Sequence, residues 1–174
     1  GLIGFPNAGK STLITKISKV RSKIASYPFT TKQPILGVVQ DDREERHFIV
    51  ADLPGLIEGA HEGRGMGDRF LKHAERTKIL VHVIDMAGSE GRDPLDDYQK
   101  ISDELSAYSP HLAVKHKMIV ANKMDIPGAQ ENLERFRRHI QGDVFAMSAL
   151  NDQDFQPLVD EIRRFLIDEK TREI

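Results

Sequence analysis

Apolar positions along the chain fall into two alternating kinds of run. Short, mostly apolar stretches occupy residues 2–3, 36–39, 48–51, 79–84, 118–121 and 144–147, and each reads as a buried β-strand. Between them lie amphipathic stretches. The clearest puts Phe155, Leu158, Val159, Ile162, Phe165 and Leu166 at helical spacing among charged residues. A second runs from Leu95 through Tyr98, Ile101 and Leu105 to Tyr108, with Asp93 and Pro94 where a helix N-terminus wants them. Strands alternating with helices predict an α/β domain: a six-stranded, mostly parallel sheet with helices on both faces. Residues 37–52 are the exception. Two strands flank the polar segment 41–46, so short a link makes a hairpin, and one strand must be antiparallel. No repeat or linker divides the chain, which reads as a single domain over residues 1–174. Two segments resist assignment: residues 21–34, with two prolines and two threonines, and residues 55–67, with five glycines. Long irregular segments in a compact domain usually serve function.

Composition narrows the class. The 174 residues are 39% hydrophobic and 30% charged, with a mean hydropathy of −0.42, enough apolar material for one sizeable core. Lys+Arg 25 against Asp+Glu 27 leaves a net charge of −2, so no global basic field draws the chain to nucleic acid. No apolar run approaches the roughly 18 residues of a membrane span, and no signal peptide opens the sequence. Cysteine is absent, which removes disulfides and thiolate chemistry and suits a cytoplasmic protein. The chain opens on Gly1 with only Leu2 and Ile3 before a glycine-rich loop. That first strand is short, and the chain is expected to be a fragment of a longer protein.

Gly4-Phe5-Pro6-Asn7-Ala8-Gly9-Lys10-Ser11 fits G-x-x-x-x-G-K-[ST]. Its glycines let consecutive backbone N–H groups wrap phosphate oxygens. Lys10 supplies a point charge to the β and γ phosphates, and the Ser11 hydroxyl is a ligand for Mg²⁺. The helix that follows, apolar at Leu13, Ile14 and Ile17, adds its positive N-terminal end. An ordinary strand-to-helix turn is the bland alternative; strand before and helix after favour a triphosphate site.

Asn122-Lys123-Met124-Asp125 closes a strand, and ligands in such sheets bind beyond the carboxyl ends of strands. The Asp125 carboxylate can accept from the N1–H and exocyclic amine of guanine, a donor pair that adenine lacks. Asn122 is expected to tie this loop to the phosphate loop and reach the base, and the Lys123 stem to cover the ring. Ser148-Ala149-Leu150 follows the last strand, with the Ala149 N–H expected at guanine O6. Asp52-Leu53-Pro54-Gly55 ends another strand: Asp52 is placed to hold Mg²⁺ through water, and the Gly55 N–H to meet the γ-phosphate. In the first irregular segment, a hydroxyl of Thr31, or failing that Thr30, completes the metal shell when the γ-phosphate is present. The two irregular segments then become the order–disorder elements of a switch.

With these motifs in order, the chain resembles a translation-factor-type GTPase, and more closely the G domain of the Obg family. The residues that carry the resemblance are Gly4-Phe5-Pro6-Asn7-Ala8-Gly9-Lys10-Ser11-Thr12, Tyr27-Pro28-Phe29-Thr30-Thr31, Ala51-Asp52-Leu53-Pro54-Gly55-Leu56-Ile57-Glu58-Gly59-Ala60 and Asn122-Lys123-Met124-Asp125. Lys32-Gln33-Pro34-Ile35 departs from the aliphatic stretch the family shows after the threonines. The resemblance implies a P-loop NTPase G domain, a monomer without membrane contact that hydrolyses GTP slowly with Mg²⁺. It implies a full-length protein acting in assembly of the large ribosomal subunit, with a glycine-rich N-terminal domain and often a C-terminal extension. Guanosine tetraphosphate is a further ligand it implies.

The hydrolytic groups are less defined. The position after D-x-x-G, which in Ras-like enzymes orients water through glutamine, is Leu56 here. Asn7 stands where some related GTPases ligate K⁺, which would stabilise leaving-group charge. Glu58, His61 and Glu62 are alternatives for positioning water, and Arg64 and Arg69 for neutralising charge. Lys10, Thr31, Gly55 and Asn7 are the preferred catalytic set. A guanine-nucleotide or alarmone sensor with little turnover is the alternative reading, and an ATP-using kinase conflicts with Asn122–Asp125.

Overall fold

The computed structural model describes residues 1–18, 20–21, 35–40, 47–53, 67–151 and 154–172. The strands are β1 (Leu2–Ile3), β2 (Val20–Arg21), β3 (Leu36–Gln40), β4 (His47–Ala51), β5 (Leu80–Asp85), β6 (Lys117–Asn122) and β7 (Val144–Ala146). The helices are α1 (Lys10–Ile17), α2 (Gly67–Arg76), α3 (Pro94–Tyr108), α4 (Pro110–Val114), α5 (Ala129–His139) and α6 (Gln156–Arg172). β1, β5, β6 and β7 pair in that order, all parallel. β3 runs antiparallel between β2 and β4. A parallel bridge between Leu2 and Asp52, with the Leu53 N–H on the Leu2 carbonyl at 3.1 Å, joins the two groups beside β1.

This is the expected α/β architecture with its hairpin and single antiparallel strand, and one correction. The described residues hold seven strands, not six. β2 is two residues long, and its place is fixed by pairing with Gly37 and Val38 on β3. So short a run leaves no alternation for a sequence pattern to show.

The period-2 alternation of the central strands sorts the core into two faces. Leu2, Val81, Val83, Met118 and Val120 pack with Leu13 and Ile14 of α1 and Leu158, Val159 and Ile162 of α6. Their neighbours point the other way. Ile3 and Leu80 meet α2, α3 and α4 through Leu71, Ala74, Ile101, Leu105 and Leu112. Ile84, Ile119 and Ala121 meet Leu133 and Phe136 of α5. Every residue of β5 is therefore buried, as a strand covered on both faces must be. α3 starts as the sequence predicts: the Asp93 carboxylate accepts from the Leu95 and Asp96 N–H groups at 2.9 and 3.3 Å, with Pro94 in the first turn.

A histidine stands among the apolar residues in the middle of β5. His82 of β5 is 1% exposed, stacks on Tyr98 at 5.4 Å, and has no partner for Nδ1 among the described residues. Burial, with Lys117 and Lys10 adding positive charge nearby, pushes its pKa down from 6.5 to about 3. The unfolded chain therefore takes up a proton that the folded chain refuses. This contribution is intact above pH 6.5 and is lost as pH falls, by about 1.4 kcal/mol per pH unit. Between pH 7 and pH 5 His82 is expected to account for about 2 kcal/mol of lost stability. Urea titrations at the two pH values check this, since His82→Leu should lose correspondingly less.

Candidate guanine-nucleotide site

The loop after β1 is bent by two left-handed residues, Asn7 (φ 61) and Gly9 (φ 100). Only glycine fits the second: a Cβ there would stand 2.1 Å from Asn122 Nδ2. α1 begins at the next residue, so its first N–H groups open onto the loop. The loop's carbonyls are taken up around it. Lys10 Nζ donates to Gly4 O at 2.9 Å and Phe5 O at 3.0 Å, and Asn122 Nδ2 donates to Ala8 O at 2.8 Å. With these C=O groups engaged, an arriving anion meets the loop's backbone N–H groups rather than its carbonyls, although the Ala8 N–H turns back onto Phe5 O at 3.3 Å.

Asn122 is 2% exposed at the end of β6, and its other amide atom works as well. Oδ1 accepts from the Ala149 N–H at 2.9 Å. The bond to Ala8 O is the expected tie to the phosphate loop; the bond to the Ala149 N–H, which joins the loop after β7 as well, was not expected. A guanine O6 would have to share that donor. Asp125 is exposed, with Oδ1 accepting from Ser148 Oγ at 2.6 Å, and Met124 N–H bonds Met147 O at 3.2 Å. Met124 therefore contributes backbone, and Leu150, 72% exposed, stands at the rim.

Lys123 takes a left-handed conformation (φ 64) and puts Nζ 2.8 Å from Asp85 Oδ2 and 2.9 Å from Ser89 Oγ. Asp85, at the end of β5, is a site residue that sequence reasoning missed. Burial works to raise its pKa, but the Lys123 and Ser89 hydrogen bonds outweigh it and hold the carboxyl below its ordinary range. No motif marks Asp85, because its partners are set by the parallel register Asp85–Asn122.

For the metal, Ser11 Oγ donates to Asp52 Oδ2 at 2.8 Å. Asp52 is 7% exposed, yet its Oδ1 has no hydrogen-bond partner among the described residues. A buried carboxylate oxygen without a donor, beside a hydroxyl, fits an oxygen-seeking divalent cation such as Mg²⁺. Leu53 differs from the nucleotide-contact role expected of it. Its side chain is core and its N–H is spent on Leu2 O, because it follows β4 directly and the sheet claims it. Thr12 follows Ser11 in α1, half-buried. Phe29, Thr30, Thr31, Pro54, Gly55, Leu56, Glu58, His61, Glu62 and Arg64 lie outside the described residues, and of Arg69 only the backbone, within α2, is described. A cavity of about 510 Å³ lies at the amino end of β1, lined by Leu36, Phe48, Val50, Thr77, Ile162 and Leu166 among others, away from these groups.

The profile of a family described as 50S ribosome-binding GTPase matches residues 1–123. The chain belongs to the 50S ribosome-binding GTPases. Within that family the resemblance to Obg G domains holds. The chain is 54% identical over 163 residues to GTPase Obg of Symbiobacterium thermophilum, which takes in 92% of this chain and 38% of the relative. It is 55% identical over 168 residues to GTPase Obg of Heliobacterium modesticaldum, with 95% and 38% covered. The chain thus spans 38% of the length of these curated relatives. Among solved structures, the G domain of the T. maritima FeoB iron transporter superposes with a TM-score of 0.70 at 16% identity, over 95% of this chain and 96% of that one. A point mutant of S. thermophilus NFeoB bound to GDP superposes at 0.66 with 20% identity, over 91% and 59%. These two show the shared G-domain fold.

Asn122→Ala is expected to release both loops at once. Two buried partners, Ala8 O and Ala149 N–H, would go unpaired at about 1–3 kcal/mol each. The expected outcome is at least a 30-fold loss of GDP affinity by calorimetry, with a lower melting temperature of the nucleotide-free protein.

Proposed function

We propose that this domain binds GTP with Mg²⁺ and hydrolyses it slowly to GDP and phosphate. The observation that carries the reading is the bridge from Asn122 to Ala8 O and Ala149 N–H. It holds the loop after β1 and the loop after β7 together at the end of β6, three residues before Asp125, which supports a shared phosphate and base site there. Asp125, oriented by Ser148, accepts from the guanine N1–H and amine, and the Lys123 stem, held by Asp85, lies along the base. Lys10 moves its charge from the loop carbonyls to the β and γ phosphates. Ser11 and Asp52 hold the Mg²⁺, which neutralises charge between those phosphates. Thr31 and Gly55 are assigned to the γ-phosphate, and their segments to the switch.

Asn7 is assigned to a K⁺ that stabilises leaving-group charge. Its amide nitrogen donates to Glu90, so its oxygen is the end left for a cation. In the full-length protein the cycle would act on the large ribosomal subunit in the cytoplasm, in keeping with the family's description as ribosome-binding. Among the described residues no helix is long and apolar enough to cross a membrane. We further propose that residues 1–174 form one G domain of a longer chain.

Phosphate release from GTP in matched KCl and NaCl buffers, with ATP as control, tests the reading. GTP is expected to turn over and ATP not, with the rate in K⁺ at least tenfold above that in Na⁺. Asn7→Ala should abolish the difference and leave GDP binding intact. No release above the uncatalysed rate in either salt would favour the sensor reading.

A further inference from the structure

The segment between β5 and α3 has no part in the motifs above, yet it touches both halves of the site. It leaves β5 at Asp85, whose carboxylate also accepts from the Ala87 and Ser89 N–H groups at 3.1 and 3.2 Å. Gly88 (φ 62) then turns the chain so tightly that a Cβ would lie 2.6 Å from the Arg92 carbonyl. The turn delivers Arg92 to the outer face of the phosphate loop.

There every part of its guanidinium is used. Nε lies 3.1 Å from Asp97 Oδ2, one terminal nitrogen is 3.4 Å from Glu90 Oε2, and the other donates to Pro6 O at 3.4 Å. The planar face sits over the Phe5 ring, 4.3 Å from its centre. Glu90 in turn accepts from Asn7 Nδ2. Asp97, 4% exposed in the first turn of α3, anchors the arrangement to the core.

The loop's peptides explain what this contact is for. Gly4 O and Phe5 O are held by Lys10, and Ala8 O by Asn122. Pro6 O is held by Arg92. A Pro6 carbonyl without that donor is free to rotate toward the phosphates, where its partial negative charge would oppose them. Resting on the guanine-nucleotide reading, we propose that Arg92 is a positioning residue that keeps the Pro6 carbonyl turned out of the phosphate loop, and that residues 85–97 brace this loop against Lys123 of the base loop. Lysine cannot replace it, because one ammonium cannot stack on a ring and serve Asp97, Glu90 and Pro6 in fixed directions.

The test is the dissociation rate of a fluorescent GDP from this chain, beside the melting temperature of the nucleotide-free protein. Arg92→Ala and Arg92→Lys are both expected to release GDP about tenfold faster. Asp97→Asn, which keeps shape but weakens the anchor, should release it about threefold faster. KM for GTP should rise with kcat within twofold of wild type. A lowered melting temperature with release rates within twofold of wild type in the Arg92 variants would overturn the brace while leaving the nucleotide reading intact. If Arg92→Ala does not fold, Asp97→Asn decides by the same criterion. A wild-type chain that binds no GDP would overturn the nucleotide reading, and the brace with it.

Discussion

The amide of Asn122 makes two buried hydrogen bonds that join two loops of the site, and the rest of the arrangement hangs on them. Its partners lie 114 residues upstream and 27 downstream, in loops that share no element. Leaving half of a buried amide unpaired costs more than a satisfied hydrogen bond contributes. The β6–β7 and β1–β5–β6 register must therefore deliver both loops to within hydrogen-bond distance or lose on both sides. The sheet meets that demand through β5 and β6, whose residues pack on both faces and fix the strand ends within a narrow range.

Acceptors and donors are then distributed by the same logic. The carbonyls of the phosphate loop are engaged by Lys10, Asn122 and Arg92, which turns them away from an arriving anion. Asp52 and Asp125 are carboxylates in two different settings. Asp52 is buried beside a hydroxyl with one oxygen unpaired, which suits a hard cation. Asp125 is exposed and oriented by one serine, which suits a base edge that arrives from solvent. Position in the sheet sets the difference, since both follow strands of similar sequence character.

Much of this was legible in the residues because the governing interactions are local. The turn glycines around Lys10, the cap at Asp93 and the hairpin of β3 and β4 each depend on neighbours a few residues away. The tie from Asn122 to the phosphate loop could be read from its place in a motif at a strand end. Where an element or contact carries no motif or period, the sequence did not show it. β2 exists only because β3 lies beside it. The five-residue α4, capped by the hydroxyl of Ser109, is too short to show a helical period. Leu53 sits inside a nucleotide-binding motif but is claimed by the core. Asp85 and Arg92 carry no motif, and their partners are 38 and 86 residues away.

Without nucleotide the two loops already meet, with Asn122 closing the gap between them. Amide hydrogen exchange at Ala149 in the nucleotide-free protein tests it most directly. The account predicts exchange slowed at least 100-fold relative to an exposed loop amide, with that protection abolished by Asn122→Ala. Exchange at the rate of an open loop, with protection only after GDP is added, would contradict it and make the nucleotide itself the tie between the loops.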